Sequence, residues 1–232
     1  MSNIKRFIPL TLLIIGLALF FYFKLYRYLS FTQLKAHRDW LLQWTKTHYA
    51  LAVLAYFVIY IVAVAISIPG AIFLTLTGGF LFGILFGTLY TVIAATLGAT
   101  LLFISVKTAF GTWFANKANT WVSRMQQGFQ KNAFYYLLFL RLIPLFPFWA
   151  VNIVPALLNM RLRSFILATF IGIIPGSLVY VALGNGLQDL FATNQTPNLS
   201  IIFKPTILLP ILALAVLSLV PILYKKMSSR TK

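Results

Sequence analysis

The sequence predicts an all-α polytopic membrane protein, built as an inverted repeat with two opposed re-entrant helical hairpins. Three observations lead there. Of 232 residues, 61% are hydrophobic and only 9% charged, whereas about a quarter of a soluble domain is charged. Apolar runs at 7–23, 49–68, 84–106, 164–183 and 205–224 approach or exceed the roughly 20 residues that span hydrocarbon. Two apolar stretches, 49–83 and 132–160, carry proline and glycine where a simple spanning helix would avoid them.

The elements follow in chain order. A basic start leads into the run 7–23, and bulky Lys24, Leu25, Tyr26 and Arg27 stand where a small-residue cleavage site would be. That pattern reads as an uncleaved signal-anchor helix. Residues 24–48 mix bases with Tyr26, Tyr28, Phe31, Leu34, Leu41, Leu42 and Trp44, which suits a helix lying in the headgroup region. Residues 1–48 are therefore one division of the chain. The run 49–68 meets Pro69-Gly70, a strong break, and 71–83 leads into the span 84–106. A second polar stretch, 107–131, holds Trp113, Phe114 and Trp121. The broken segment 132–160 and the span 164–183 complete a membrane domain over 49–185. Residues 186–232 supply a loop, a last span and a basic tail; 184–204 read as loop with some interfacial content.

The segment FLRLIPLFPFWAVNIVPALLNM, 139–160, carries Pro144, Pro147, Pro155, Asn152 and Arg141. A proline inside a helix removes a backbone donor and clashes with the preceding turn, at about 3 kcal/mol. Lipid cannot pair the freed carbonyls, so such backbone must lie against protein or water. A segment that enters, turns near Pro144–Pro147 and leaves by the same face meets this condition; one kinked spanning helix is the alternative. Shifting the chain by 78 residues places Pro69 on Pro147, Thr91 on Thr169 and Gly98 on Gly176. Each half then reads as polar amphipathic segment, proline-broken hairpin and intact span. Repeats with interrupted helices recur in transporters.

With 49–83 and 132–160 re-entrant and four full crossings, both termini share one side. That side holds Lys5, Arg6, Lys107, Lys117, Arg124, Lys131, Arg161, Arg163, Lys225, Lys226, Arg230 and Lys232, against Lys24, Arg27, Lys35, Arg38, Lys46 and Lys204 opposite. The base asymmetry assigns both termini to the cytoplasm. Gly79, Gly83, Gly87, Thr91, Ala95 and Ala99 recur every four residues, a small-residue stripe that marks helix packing. Arg141 either snorkels to the interface or lies in a polar cavity, where its planar fork suits a phosphate. Asn152 is a candidate polar neighbour.

The run Arg141-Leu142-Ile143-Pro144-Leu145-Phe146-Pro147-Phe148, with Asn152 beyond it, resembles the VTT-domain family, also called SNARE-associated Golgi proteins, within the DedA superfamily. Upstream, Gly78-Gly79-Phe80-Leu81-Phe82-Gly83-Ile84-Leu85-Phe86-Gly87 looks like that family's first-hairpin signature. The resemblance covers roughly residues 50–185. It implies two opposed re-entrant hairpins and movement of lipids between leaflets: eukaryotic relatives are regarded as phospholipid scramblases, bacterial ones as translocases of lipid carriers such as undecaprenyl phosphate. It also implies that Arg141 matches the family's first hairpin arginine, while Pro147 stands where DedA proteins often have a second. The acidic residues those proteins place near the first hairpin have no counterpart, because the carboxylates here are Asp39 and Asp189 alone. The chain thus resembles the Golgi-type branch, for which passive scrambling fits better than ion-coupled export.

The same inventory argues against other classes. With no cysteine or glutamate, two aspartates and two histidines, neither general acid–base catalysis nor a metal-ligand set emerges. No enzyme activity and no cofactor are expected. The net charge of +17 is spread along the edges of apolar runs, which indicates anchoring at lipid headgroups and no nucleic-acid partner. The expected function is lipid translocation along a path formed by Arg141, Pro144, Pro147, Asn152, Pro69, Gly70, Gly78 and Gly79. A transporter of a polyprenyl-phosphate carrier, small solute or ion, and a non-transporting membrane scaffold, remain as alternatives. The partners expected are membrane lipids, with homo-oligomerisation left open, and the expected location is a bacterial inner membrane.

Overall fold

The computed structural model describes residues 5–117, 130, 132–144, 146–192 and 198–228, and every regular element among them is helical. In order these are α1 (Ile8–Tyr22), α2 (Phe31–Ala36), α3 (Arg38–Thr47), α4 (Tyr49–Ala65), α5 (Ala71–Lys117), α6 (Ala133–Leu142), α7 (Phe148–Leu157), α8 (Leu162–Asn185), α9 (Leu187–Ala192) and α10 (Pro205–Ser228), with 3-10 turns at Lys5–Phe7, Leu25–Arg27 and Leu199–Phe203. Stretches within Lys5–Tyr22, Ala71–Phe110, Leu162–Asn185 and Pro205–Ile222 are long and apolar enough to cross a bilayer. The chain is an integral membrane protein. Trp113 and Phe114 fall on α5, which runs past 106; Trp121 lies outside the described residues.

Two compact units divide the chain. One draws on Thr11–Ala99 and Gly176–Ile202; the other on Met1–Leu10, Thr100–Pro175 and Phe203–Lys232.

In the first unit the chain reverses twice. After α4, Ser67 adopts φ 57 and Gly70 φ 104, so the Pro69-Gly70 break is a turn. The 71–82 arm of α5 then returns along α4. Tyr60 Oη lies 2.9 Å from Thr75 Oγ1, and Tyr56 Oη donates to the Leu74 carbonyl at 3.2 Å. At Gly83 the backbone takes φ 75 and ψ −177, a region that glycine enters without steric cost. Here α5 folds back on itself: a methyl group at Gly87 would lie 2.7 Å from the Gly78 carbonyl oxygen. In a straight helix those residues would be about 13 Å apart, at 1.5 Å per residue. The small-residue stripe therefore does not run along one helix; Gly79 and Gly87 belong to opposite arms. Leu34, Leu76, Phe80, Leu187 and Phe191 form the buried cluster of this unit, with Phe31, Leu41 and Leu42 against it. Phe31, Leu34, Leu41 and Leu42 thus pack on protein while Tyr26 and Tyr28 stay exposed, and the expected loop at 184–204 contains α9.

The second unit contains the other proline-broken segment. α6 stops at Leu142 because Ile143, preceding Pro144, is extended with ψ 114, as a residue before proline prefers. Pro147, φ −58, caps α7. Pro155 breaks nothing: it is fully buried inside α7, where it withholds only the donor due to the Val151 carbonyl. The left-handed Asn159, φ 55, ends the segment. α6 also packs against α10.

Candidate functional site

Arg141 occupies the last turn of α6, immediately before the 143–147 turn. Its Nη2 donates to Asn152 Oδ1 on α7 at 2.6 Å and to Thr169 Oγ1 on α8 at 3.0 Å. One guanidinium nitrogen therefore ties three helices together. The rings of Phe148 and Phe165 lie 5.2 and 5.5 Å from its Cζ, within the about 6 Å reach of a cation–π contact. Phe165 in turn stacks on Phe103 at 4.2 Å between centroids. α8 comes this close because position 172 is glycine: a methyl group there would sit 2.5 Å from Arg141 Cβ.

Among the described residues the charge in this site meets no counter-charge. Asn152 and Thr169 are neutral and fully buried. Two donors are buried without a hydrogen-bond partner, Arg141 Nε and Asn152 Nδ2. Buried donors are ordinarily paired, and each orphan costs about 1–3 kcal/mol, more at a charged group. Chemically, the arrangement is a half-filled donor site: a cation and an amide donor, both fixed by side-chain bonds, that an anionic oxygen would complete. It holds no general base or nucleophile, and among the described residues no three His, Cys, Asp or Glu side chains gather as metal ligands.

Of the residues singled out from sequence, Arg141 and Asn152 are brought into direct contact, and Pro144 and Pro147 belong to the turn between their helices. Thr169 and the Phe148 and Phe165 rings were missed. The signal for Thr169 was its alignment with Thr91, which marked a repeat without marking a role.

Pro69, Gly70, Gly78 and Gly79 lie in the other unit. Pro69 and Gly70 are exposed at their turn, whereas Gly78 and Gly79 are buried. A methyl group at Gly78 would strike Tyr56 Oη and lie 3.1 Å from Thr91 Oγ1, and one at Gly79 would strike the Val181 backbone. Tyr56 Oη also pairs with Thr91 Oγ1 at 2.7 Å. Tyr56 thus bridges positions 74 and 91, and Arg141 bridges positions 152 and 169. Both pairs are related by the 78-residue shift that carries Pro69 onto Pro147.

Residues 68–186 match the family model described as the VTT domain. The chain is similar to Transmembrane protein 41 homolog of Dictyostelium discoideum, 31% identical over 201 residues, which is 85% of this chain and 58% of the relative. It is also similar to Transmembrane protein 41B of Mus musculus and of Homo sapiens, each 28% identical over 184 residues, covering 78% of this chain and 61% of the relative. The chain spans about three-fifths of the length of these curated relatives. No solved structure matches it. The matched stretch takes in the Pro69-Gly70 turn, the whole of 132–160 and all the partners of Arg141, and with half of its residues inside that match the chain belongs to the VTT-domain family.

Proposed function

We propose that this protein is a passive lipid translocase that scrambles phospholipids between leaflets. Headgroups move past Arg141 and the polar groups of the two broken segments while acyl chains stay in the bilayer. The observation that carries this reading is the unneutralised Arg141 with two unpaired donors, Arg141 Nε and Asn152 Nδ2, beside it. A phosphate diester offers the acceptor oxygens those donors lack, and guanidinium recognises phosphate through parallel hydrogen bonds. Two aspartates and no glutamate in the whole chain leave little equipment for proton coupling, which favours passive movement.

In this proposal 49–83 and 132–160 are re-entrant hairpins of an inverted repeat, and both termini are cytoplasmic. Support for the repeat comes from the equivalent bridging at 74/91 and 152/169. Pro144 and Pro147 shape the second turn, Pro69 and Gly70 the first, and Gly78 and Gly79 let the first hairpin pack closely enough to frame its share of the path. The working location is a bacterial inner membrane and the partners are its lipids.

The test is transbilayer movement in liposomes holding the purified protein. Labelled phosphatidylcholine, a labelled polyprenyl phosphate and a trapped small solute are followed separately. Movement of the phospholipid supports the proposal. Movement of the polyprenyl phosphate alone would make the protein a carrier translocase, solute flux alone a transporter, and no movement of any a scaffold.

A further inference from the structure

A polar cavity lies in the same unit as Arg141, at the other end of α6. It has a volume of about 450 Å³ and is lined by Lys107, Gln130, Asn132, Asn159, Arg161 and Ser164 among others. Arg141 sits eight residues along from the first residue of α6, or about 12 Å at 1.5 Å per residue. The cavity therefore marks the mouth of the hairpin, where Arg141 marks its tip.

Its chemistry is one-signed. Lys107 and Arg161 bring two positive charges, and no carboxylate is among the lining residues. Lys107 Nζ donates to the Met160 carbonyl at 2.6 Å, which fixes the ammonium and leaves two of its three donors for a ligand. Gln130 Nε2 donates to the Leu158 carbonyl at 3.3 Å, so the end of α7 is held from two directions. Arg161 is exposed, with its fork of five donors. The first residues of α6 line the cavity, and Asn132 at its N-cap makes no side-chain capping bond. First-turn amides of an uncapped helix add partial positive charge at that wall.

We propose that this cavity is a binding site for a phosphate monoester, the headgroup of an anionic lipid of the phosphatidate type. It is a docking site distinct from the Arg141 path, and it stands whether or not the protein moves lipid. A monoester carries more charge than the diester of ordinary phospholipids and offers three terminal oxygens. Two cations and a helix end match that pattern better than they match a zwitterion. The base asymmetry of the sequence assigns this end to the cytoplasmic face, so the ligand would be drawn from that leaflet.

The experiment is calorimetric titration of the full chain in nanodiscs of phosphatidylcholine. The probes are dihexanoyl phosphatidate, inorganic phosphate and dihexanoyl phosphatidylcholine. Arg161→Gln removes an exposed charge, and Asn132→Asp places a carboxylate at the cavity with a residue type that the N-cap position accepts. The expected result is saturable binding of the phosphatidate, weakened about tenfold by Arg161→Gln, as loss of one charge-assisted bond implies, and at least as much by Asn132→Asp, whose carboxylate repels the anion. Equal binding of inorganic phosphate would make free phosphate an alternative source of the same recognised group; phosphatidate binding alone would assign the site to lipid. Phosphatidate binding unchanged in both variants, or absent in the folded wild type, would overturn the proposal.

Discussion

Arg141 donates to Asn152 Oδ1 across the 143–147 turn at 2.6 Å, and the other half of that amide, Nδ2, is buried with no partner. The asparagine is thus oriented by the arginine, which leaves its donor buried and unpaired. Replacing it separates structure from transport. In Asn152→Asp a carboxylate would pair with Arg141 and occupy the cation permanently. Thermal stability in nanodiscs is expected to hold or rise, and labelled-phospholipid movement to fall at least about tenfold, the factor for roughly 1.4 kcal/mol. Undiminished movement in a folded Asn152→Asp would remove this pair from the path.

Gly172 controls how closely α8 approaches the arginine. Gly172→Ala puts a methyl group 2.5 Å from Arg141 Cβ, and such overpacking costs about 1–3 kcal/mol. By contrast a methyl group at Gly176 meets only Ile202 Cδ1, at 3.9 Å. Gly176→Ala on the same helix is expected to be neutral or stabilising by up to about 1 kcal/mol. Thermal unfolding of the two variants side by side checks the ordering.

In the other unit, Tyr56 Oη serves both the Leu74 carbonyl and Thr91 Oγ1 from a site only 6% exposed. Tyr56→Phe is expected to cost about 1–3 kcal/mol, the penalty for leaving buried partners unpaired. Tyr49, which is 44% exposed and pairs with Tyr90 at 3.1 Å, should lose less than about 1 kcal/mol on the same change, since it leaves no fully buried partner unpaired. Equal losses would mean that the Tyr56 bridge does not organise its unit.

The absence of cysteine makes single-cysteine labelling clean. Cysteines at Gln130 and Arg163, exposed residues on either side of the 132–160 segment, are expected to react with an impermeant maleimide from the same face of the membrane. Reaction from opposite faces would make that segment a single kinked crossing.

Much of this arrangement was legible in the sequence because lipid imposes strict rules on backbone. Long apolar runs gave the spans, and the Pro69-Gly70 and Pro144–Pro147 breaks gave both turns, although Pro210 and Pro221 stay inside α10. Pro155 shows the limit: composition cannot say whether a proline lies at a break or inside a protected helix, since that depends on what covers it. Gly83 shows another. The apolar runs divide at 83/84, yet the stripe through Gly79, Gly83 and Gly87 reads as one packing face, because a glycine that permits close packing and one that permits positive φ look alike. Thr169 stayed hidden as a site residue because a threonine in an apolar helix usually bonds its own backbone, and only the fold brings it to Arg141.

The most direct measurement is the rate of phospholipid movement in liposomes for wild type, Arg141→Lys and Arg141→Ala, each at matched folded protein. The expected result is a fast wild type, a slower lysine variant that keeps the charge without the planar fork, and an alanine variant near the protein-free rate. An alanine variant that is folded and as fast as wild type would contradict the account, since headgroups would then pass without the cation on which it rests.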